Sequence, residues 1–371
     1  MTLRQLTIIF CTIYILLSAK SSADVRYTLT ALGLPGGSDS RATDINNAGE
    51  VVGWSYIIGE EIPHAFIYSS TSGISDLHQS GLMSQANAIN STGTIIGMTF
   101  APPNNPQTTI WRNGLGSTIN SSVVRSIGNS INTYGDLAGD IVFDGYRHAY
   151  RYTSGGGEAN EHLQDLGTLG GSTSFGLAIN DPGTVVGSSL TSSSNWQQHA
   201  FISRATRPHA NEMIDIGTLG GEHSEARAIN NSGTVVGWAW QENGRSEAFV
   251  YSNGNMRGLG TLGGFSSSAC GINESGNIVG WWSPDGLSRR AFLYSQGNSS
   301  STMTDLTSLI DPLSGWTLIE ATAINDSGMI VGYGIDPNGN DRGFLLTPVP
   351  APTSATFLIG AGMVFVTRRK R

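Results

Sequence analysis

The chain has 371 residues, more than one hydrophobic core usually organises, so either several domains or a closed array of small units is expected. Charged residues make up only 13% while 49 residues are glycine, and Ser, Asn and Asp accompany them throughout; this suits many short strands joined by tight turns and argues against a helix-rich fold. The formal net charge is −8, and setting aside Arg4, Lys20, Arg368, Arg369, Lys370 and Arg371 at the two ends leaves 14 basic residues, none of them lysine, against all 28 acidic ones. Such a surface repels phosphate backbones and anionic lipid heads, which disfavours nucleic-acid binding.

The first 23 residues carry Arg4, an apolar run from Leu6 to Leu17 and small residues ending at Ser21-Ser22-Ala23. That order predicts a Sec-type signal peptide with cleavage between Ala23 and Asp24, making signal peptidase a processing partner. Twelve apolar residues are short for a permanent span. Cys11 leaves with the leader, so Cys270 remains alone and no internal disulfide is available to the exported protein. Cys270 lies two residues before a repeated Ile, where other units carry Thr43, Asn87, Leu177, Arg227 or Thr322, and reads as one more tolerated side chain.

Between residues 24 and 347 one pattern, Ile-Asn-x-x-Gly-x-apolar-apolar-Gly, recurs seven times, from Ile45, Ile89, Ile131, Ile179, Ile229, Ile272 and Ile324. A spacing of 42 to 52 residues signals a repeat architecture. Each unit holds four apolar segments bounded by Gly, Ser, Asn or Pro, seen most plainly at Met256 to Leu262, Ala269 to Ile272, Ile278 to Trp282 and Ala291 to Tyr294. Four strands in one such period describe a propeller blade, so the predicted fold is all-β, a seven-bladed β-propeller of four-stranded antiparallel blades. Its competitor, an open β-solenoid, has a shorter usual repeat. In the turn between the second and third segments, Asn caps through its side chain and Gly takes positive φ, so the repeated Asn residues read as structural. The segment Tyr27 to Leu32 precedes the first Ile-Asn and is expected to pair beside the last strand, Gly343 to Leu346, latching the ring.

Two further signatures recur. One is His64-Ala65-Phe66 and His199-Ala200-Phe201, with His148-Ala149-Tyr150, Glu247-Ala248-Phe249, Arg290-Ala291-Phe292 and Arg342-Gly343-Phe344 as variants; the other is Asp165-Leu166-Gly167-Thr168-Leu169-Gly170-Gly171, with copies at Asp215 to Gly221 and Gly258 to Gly264. Together they resemble the extracellular HAF repeat family over roughly residues 27 to 346, most closely in units four to six. That resemblance implies an exported bacterial repeat protein and little about activity. Because Glu247, Arg290 and Arg342 replace His64, His148 and His199 elsewhere, a metal shared among these histidines is not expected, and they read as solvent-facing strand ends.

Residues that could carry recognition are few. Trp54, Trp238, Trp281, Trp282 and Tyr333 follow the paired apolar residues of the third segment in four units. Aromatic faces stack on sugar rings, and the same rings would also fill the wedges between blades. Any catalysis should use residues that break the repeat; the clearest are Glu222, His223 and Glu225, in the linker where other units place Ser38-Asp39, Ser172-Thr173 or Phe265-Ser266, and a His flanked by carboxylates could act there as a general base. The loop Asp336-Pro337-Asn338-Gly339-Asn340-Asp341 begins like a calcium loop but lacks its sixth-position Gly and has Thr347 in place of the bidentate Glu, so a polar hairpin is expected. Loops preceding the His-Ala-Phe strand, with Trp196 and Trp240, are left to confer specificity. No cofactor or metal is predicted.

From residue 348 the chain reads Pro348-Val349-Pro350-Ala351-Pro352, then an apolar stretch from Ala355 to Val366, then four basic residues. Twelve apolar residues ahead of a cationic end form a weak stop-transfer anchor, which predicts transient inner-membrane anchoring through a C-terminal helix. The tripartite order resembles the PEP-CTERM sorting signal of exopolysaccharide-producing Gram-negative bacteria, with Ala351 where that family usually has an acidic residue. It implies processing around Val349, Pro350, Ala351 and Pro352 by an exosortase, and residence at the cell surface or outside the cell. The sequence reading is therefore an exported, non-catalytic binding or matrix component, with extracellular polysaccharide as the partner that context implies. A propeller enzyme acting on such polysaccharide and a purely structural spacer are the alternatives.

Overall fold

The structure is a computed structural model, and it describes residues 26–78, 82–101, 105–119, 125–154, 163–192, 196–204, 212–296 and 301–350. The leader with Ala23 and Asp24, the apolar tail, Ala351 and Pro352 lie outside the described residues. Among the described residues no helix is long and apolar enough to cross a membrane.

Seven four-stranded antiparallel sheets make up the fold. Blade 1 shows the plan: an inner strand Ser40–Ile45, then Val51–Ser55, His64–Ser69 and an outer strand Gly73–Asp76. Blades 2 to 6 span 84–118, 126–165, 174–215, 220–258 and 266–305 and repeat it. Each inner strand touches the inner strands on both sides, blade 7 closing on blade 1, which makes a seven-bladed propeller with an axial channel. Blade 7 takes three strands, Thr317–Ile324, Ile330–Ile335 and Asp341–Pro348, from the end of the chain and its outer strand, Tyr27–Leu32, from the beginning. The register runs from Tyr27 opposite Pro348 to Leu32 opposite Gly343, so the expected latch is present and the ring is closed without a disulfide.

Repeat and blade are out of phase. The first apolar segment of each sequence unit is the outer strand of the preceding blade: Asn255–Gly258 pairs with Ser246–Ser252 of blade 5, not with blade 6. The Leu-Gly-Thr-Leu-Gly-Gly stretch that follows is the crossover to the next inner strand, and Thr168, Thr218 and Thr261 close it by donating to the carbonyls of Gly171, Gly221 and Gly264. Blade 6 instead leads into blade 7 through two short 3-10 turns, Leu306–Leu309 and Pro312–Ser314.

Packing explains the repeated letters. Among the described residues the buried apolar side chains form seven clusters, one at each junction between neighbouring blades. At the junction of blades 3 and 4, for example, Ala138 and Ala149 meet Ile179, Val185 and Phe201. Small residues on one face and large ones on the other let adjacent sheets approach closely. The Phe of each His-Ala-Phe is fully buried against a Gly of the second strand; a Cβ on Gly53 would lie 2.0 Å from the Arg41 carbonyl and 2.9 Å from the Phe66 ring.

A serine ties each junction except one. Ser84 Oγ accepts from the Ala65 amide of the blade before it, and Ser126, Ser174, Ser224, Ser267 and Ser40 do the same for Thr108, Ala149, Ala200, Ala248 and Gly343. In blade 7 the Leu318 amide instead donates to Thr307 Oγ1.

Candidate functional site at the axial channel

The two ends of the channel are built differently, and the difference begins in the inner strand. At one end the seven Asn-x-x-Gly hairpins converge on the axis. Their glycines all have φ between 77 and 88°. Each Asn side-chain oxygen accepts the amide four residues on, as Asn46 does from Glu50 and Asn325 from Met329. Each Asn Nδ2 donates to the backbone carbonyl of the Asn in the next blade, from Asn46 to Asn90, Asn132, Asn180, Asn230, Asn273, Asn325 and back to Asn46, at 3.0–3.3 Å. This is a closed circuit of seven hydrogen bonds between side chains that are only 4–5% exposed. The hairpins do face the axis, and their polar groups are consumed by one another, so the structural reading of the Asn residues holds.

A second, open chain of hydrogen bonds lies just outside it. Asp181, Asn231, Glu274, Asp326 and Asn47 accept the backbone amides of Thr133, Asp181, Asn231, Glu274 and Asp326 respectively. The three carboxylates at this mouth thus cap neighbouring hairpins. Only a shallow hollow of about 250 Å³ remains there.

Toward the other end, every inner strand carries a β-bulge three residues before its Asn, at Thr43, Asn87, Asn129, Leu177, Arg227, Cys270 and Thr322. A bulge re-aims its side chain. Thr43, Asn87, Asn129 and Thr322 donate across the junction to the carbonyls of Ala86, Gly128, Gly176 and Ala42. Two residues earlier stand Arg41, Gln85, Ile127, Phe175, Glu225, Ser268 and Glu320, so this end differs from blade to blade where the opposite end repeats one residue.

Blades 5, 6, 7 and 1, consecutive in the closed ring, fill their half of this mouth. Trp238, Trp281, Tyr333 and Trp54 pair across strands with Glu225, Ser268, Glu320 and Arg41. Trp238 Nε1 donates to Glu225, the Arg289 guanidinium lies 4.0 Å over the Trp281 ring, and Arg41 lies 4.0 Å from Tyr333 and 5.6 Å from Trp54. Arg289 and the Tyr333 hydroxyl both reach Glu320, while Arg227 pairs with Glu225 at 2.9 Å. Burial, with the Glu320 carboxylate beside it, pushes the Cys270 thiol up to about 12, which disfavours the thiolate. Four of the aromatics singled out by sequence therefore come together, but packed among cations and acids. Trp282 does not join them: it pairs with Ser267 and packs into the junction with blade 5.

Blades 2 to 5 leave the other half open. A hollow of about 470 Å³ has an apolar wall from Met98, Ile127, Phe175 and Leu177 and a polar one from Asn87, Asn129, Asp140, Arg147, Gln198 and Glu225. Asp140, raised from the ordinary carboxylate range by burial, takes two hydrogen bonds from Arg147, and that guanidinium lies 4.7 Å from the Phe175 ring. Gln198 Nε2 donates to Glu225 at 3.3 Å. Of these lining residues only Glu225 is among the candidates the sequence offers. The signal was present in the inner strand, where Ile127 and Phe175 replace polar residues, but it had meaning only once the strand was known to face the channel.

The remaining predicted residues have other duties. His64, His148 and His199 are not solvent-facing strand ends: His64 is 2% exposed, and each ring Nδ1 meets the carboxylate of Asp76, Asp165 or Asp215 at 2.7–2.9 Å, docking the outer strand. The second oxygen of Asp165 or Asp215 accepts the amide of Gly167 or Gly217, beginning the crossover. Glu222, His223 and Glu225 sit within the strand Gly220–Ile229, not in a linker, so alternation separates Glu222 from the other two. His223 packs edge-on to Trp240 with ring centroids 4.3 Å apart, and Trp196 is 85% exposed. In the loop from Asp336 to Asp341, Asp336 accepts the amides of Asn338 and Asn340, which pulls its carboxyl below the usual range and makes the polar hairpin expected.

A family model described as "Protein of unknown function (DUF3466)" matches residues 150–342, more than half of the chain. The chain belongs to this family. In these terms the DUF3466 match covers blades 4, 5 and 6 whole with parts of 3 and 7, and it brings no activity with it. No curated protein matches the chain. Among solved structures, a puromycin-hydrolyzing peptidase of Mycobacterium tuberculosis is similar with 11% identity and a TM-score of 0.51, over 86% of this chain and 54% of that one. A puromycin hydrolase gives the same identity and TM-score over 84% and 54%. TolB from Acinetobacter baumannii, with 10% identity and a TM-score of 0.46, covers 85% and 65%. This DUF3466 chain thus spans between about half and two thirds of the length of these structures, and the likeness is one of fold alone.

Proposed function

We propose that the protein is an exported, surface-held or secreted binding component whose ligand is a hydroxyl-rich, uncharged saccharide held in the hollow between blades 2 and 5. The observation that carries this reading is the hollow itself. Its volume falls within the range of small-ligand sites, and one apolar wall faces a fan of amide, carboxylate and guanidinium groups. Sugars present such a pair of surfaces, apolar C–H faces and hydroxyl edges. The acids of the mouth are matched by arginines, and the acidic surface outside repels polyanions, so a neutral glycan fits better than an acidic one. Sec export, a transient tail anchor, exosortase processing and the likeness to HAF repeats give the context in which such a ligand would be extracellular polysaccharide.

The test is a glycan array probed with the full chain, followed by calorimetry on the best neutral glycan with Phe175→Ala, Gln198→Ala and Trp281→Ala. Loss of binding in the first two and retention in the third is expected; no binding by the folded wild type would leave the spacer reading. A second reading, hydrolysis of the same ligand, draws on Asp140, a carboxyl lining the hollow whose burial raises it above its ordinary value. Release of shortened oligosaccharides, abolished in Asp140→Asn, would establish it.

A further inference from the structure

We propose that blade 1 carries a divalent transition-metal site, of the kind zinc occupies, formed by Glu60, His64 and His78. The three offer one ligand atom each within 4.8 Å of one another. His64 is the blade 1 member of the repeated His–Asp docking pair, and its Nδ1 meets Asp76 at 2.9 Å. A carboxylate on that nitrogen fixes the tautomer and leaves Nε2 as the ligating atom, the usual outer-shell arrangement behind a metal-bound histidine. Among the described residues, in blade 1 alone Nε2 points at a second carboxylate, Glu60 Oε2, at 2.9 Å.

The third member is where the repeat breaks. Two residues after the docking Asp, blades 3 and 4 have Gly167 and Gly217; at the same place blade 5, with Gly258 instead of the Asp, has Gly260, and blade 6 has Thr307, whereas blade 1 has His78. Its ring stacks on His64 with centroids 3.6 Å apart and planes 8° from parallel. His78 Nδ1 is shielded from solvent and has no hydrogen-bond partner.

The geometry needs one adjustment. Parallel rings cannot aim in-plane lone pairs at one ion, so His78 must rotate out of the stack as the ion enters. The Nε2 to Oε2 gap then opens from 2.9 Å to about 3.3 Å, the edge of a tetrahedron with bonds of about 2.0–2.1 Å. Three protein ligands leave a fourth position, and Glu60, 48% exposed, leaves it open to water or to a ligand hydroxyl. The site is formed by the loop between the second and third strands and the exit of the outer strand. Arg289, in the equivalent loop of blade 6, reaches Glu320 in the packed half of the variable mouth, so both lie at that end of the ring.

Zinc titration of the full chain by calorimetry tests this, with calcium as the contrasting ion. His78→Gly restores what blades 3 to 5 carry, so the fold should survive, and Glu60→Gln keeps a hydrogen-bonding group beside His64. Wild type should bind one zinc per chain, prefer it to calcium, and unfold at higher temperature when zinc is present. Each variant should lose at least the roughly 10–100-fold in affinity that loss of an outer-shell partner costs. Undiminished zinc affinity in folded His78→Gly, or no zinc uptake by folded wild type, would overturn the proposal. Glycan binding in the hollow is scored separately, so the two failures are distinguishable.

Discussion

The two ends of the axial channel are made from the same seven inner strands, yet one end repeats a single residue and the other changes residue in nearly every blade. At the Asn end every repeated Asn donates to the carbonyl of the neighbouring blade while its oxygen closes its own hairpin, and the result is a closed polar hoop. Seven copies of one side chain can satisfy one another around a ring. At the opposite end Arg41, Gln85, Ile127, Phe175, Glu225, Ser268 and Glu320 cannot, and they resolve into a packed half and an open half. Closure is thus assigned to the uniform end, which frees the variable end to acquire binding groups.

The sharpest way to break this contrast is at the seam. Asn325 donates to Asn46 across the junction of last and first blades and accepts from Met329 and Ser327. Asn325→Ala orphans buried partners on both sides and should cost about 2–4 kcal/mol in urea unfolding, with the hollow unaffected. Next comes Arg147→Ala, which strips the partner from buried Asp140. Because Arg147 is about a third exposed, the discounted cost is about 1–2 kcal/mol at pH 7. The Asp140 carboxyl already lies above its ordinary range and the variant raises it further, so the loss should shrink as pH falls and the group takes up its proton.

A third prediction concerns Asp44, which lies two residues before Asn46 and accepts the amides of Ile45 and, across the junction, Ile89. Burial raises its carboxyl from 3.8 to about 6 against the pull of those two bonds. A raised acid stabilises the fold below its unfolded value and withdraws that contribution as pH climbs through the folded one. Wild-type stability should therefore fall between about pH 4 and 6, by on the order of 1 kcal/mol given that the side chain still touches solvent, and Asp44→Asn should flatten that slope. The smallest effect is expected of Tyr333→Phe, which loses only a 3.4 Å contact to Glu320: under about 1 kcal/mol in thermal unfolding, with glycan binding unchanged.

How much of this the sequence made legible follows from how local each cause is. The Asn-x-x-Gly hairpin is set by backbone conformation within four residues, so it announced seven blades and the position of each turn. The latch was legible because Tyr27 to Leu32 had no partner within its own unit. Strand phasing was not, since the outer strands are three to six residues long and carry little alternation from which a blade boundary could be read. The junction serines were visible as a Ser six residues before the Asn in six units, but their partner is an amide in another blade. Adjacent Trp281 and Trp282 looked alike until the pleat sent them to opposite faces of the sheet. Histidines that looked exposed proved to hold the outer strands because their aspartates lie 12 to 17 residues away in sequence.

The division between a closing end and a binding end is tested most directly by measuring unfolding and neutral-glycan affinity side by side on Asn325→Ala and Phe175→Ala. The account predicts a large loss of stability with unchanged affinity in the first, and lost affinity with a melting temperature close to wild type in the second. Intact glycan binding in folded Phe175→Ala, or wild-type stability in Asn325→Ala, would contradict it.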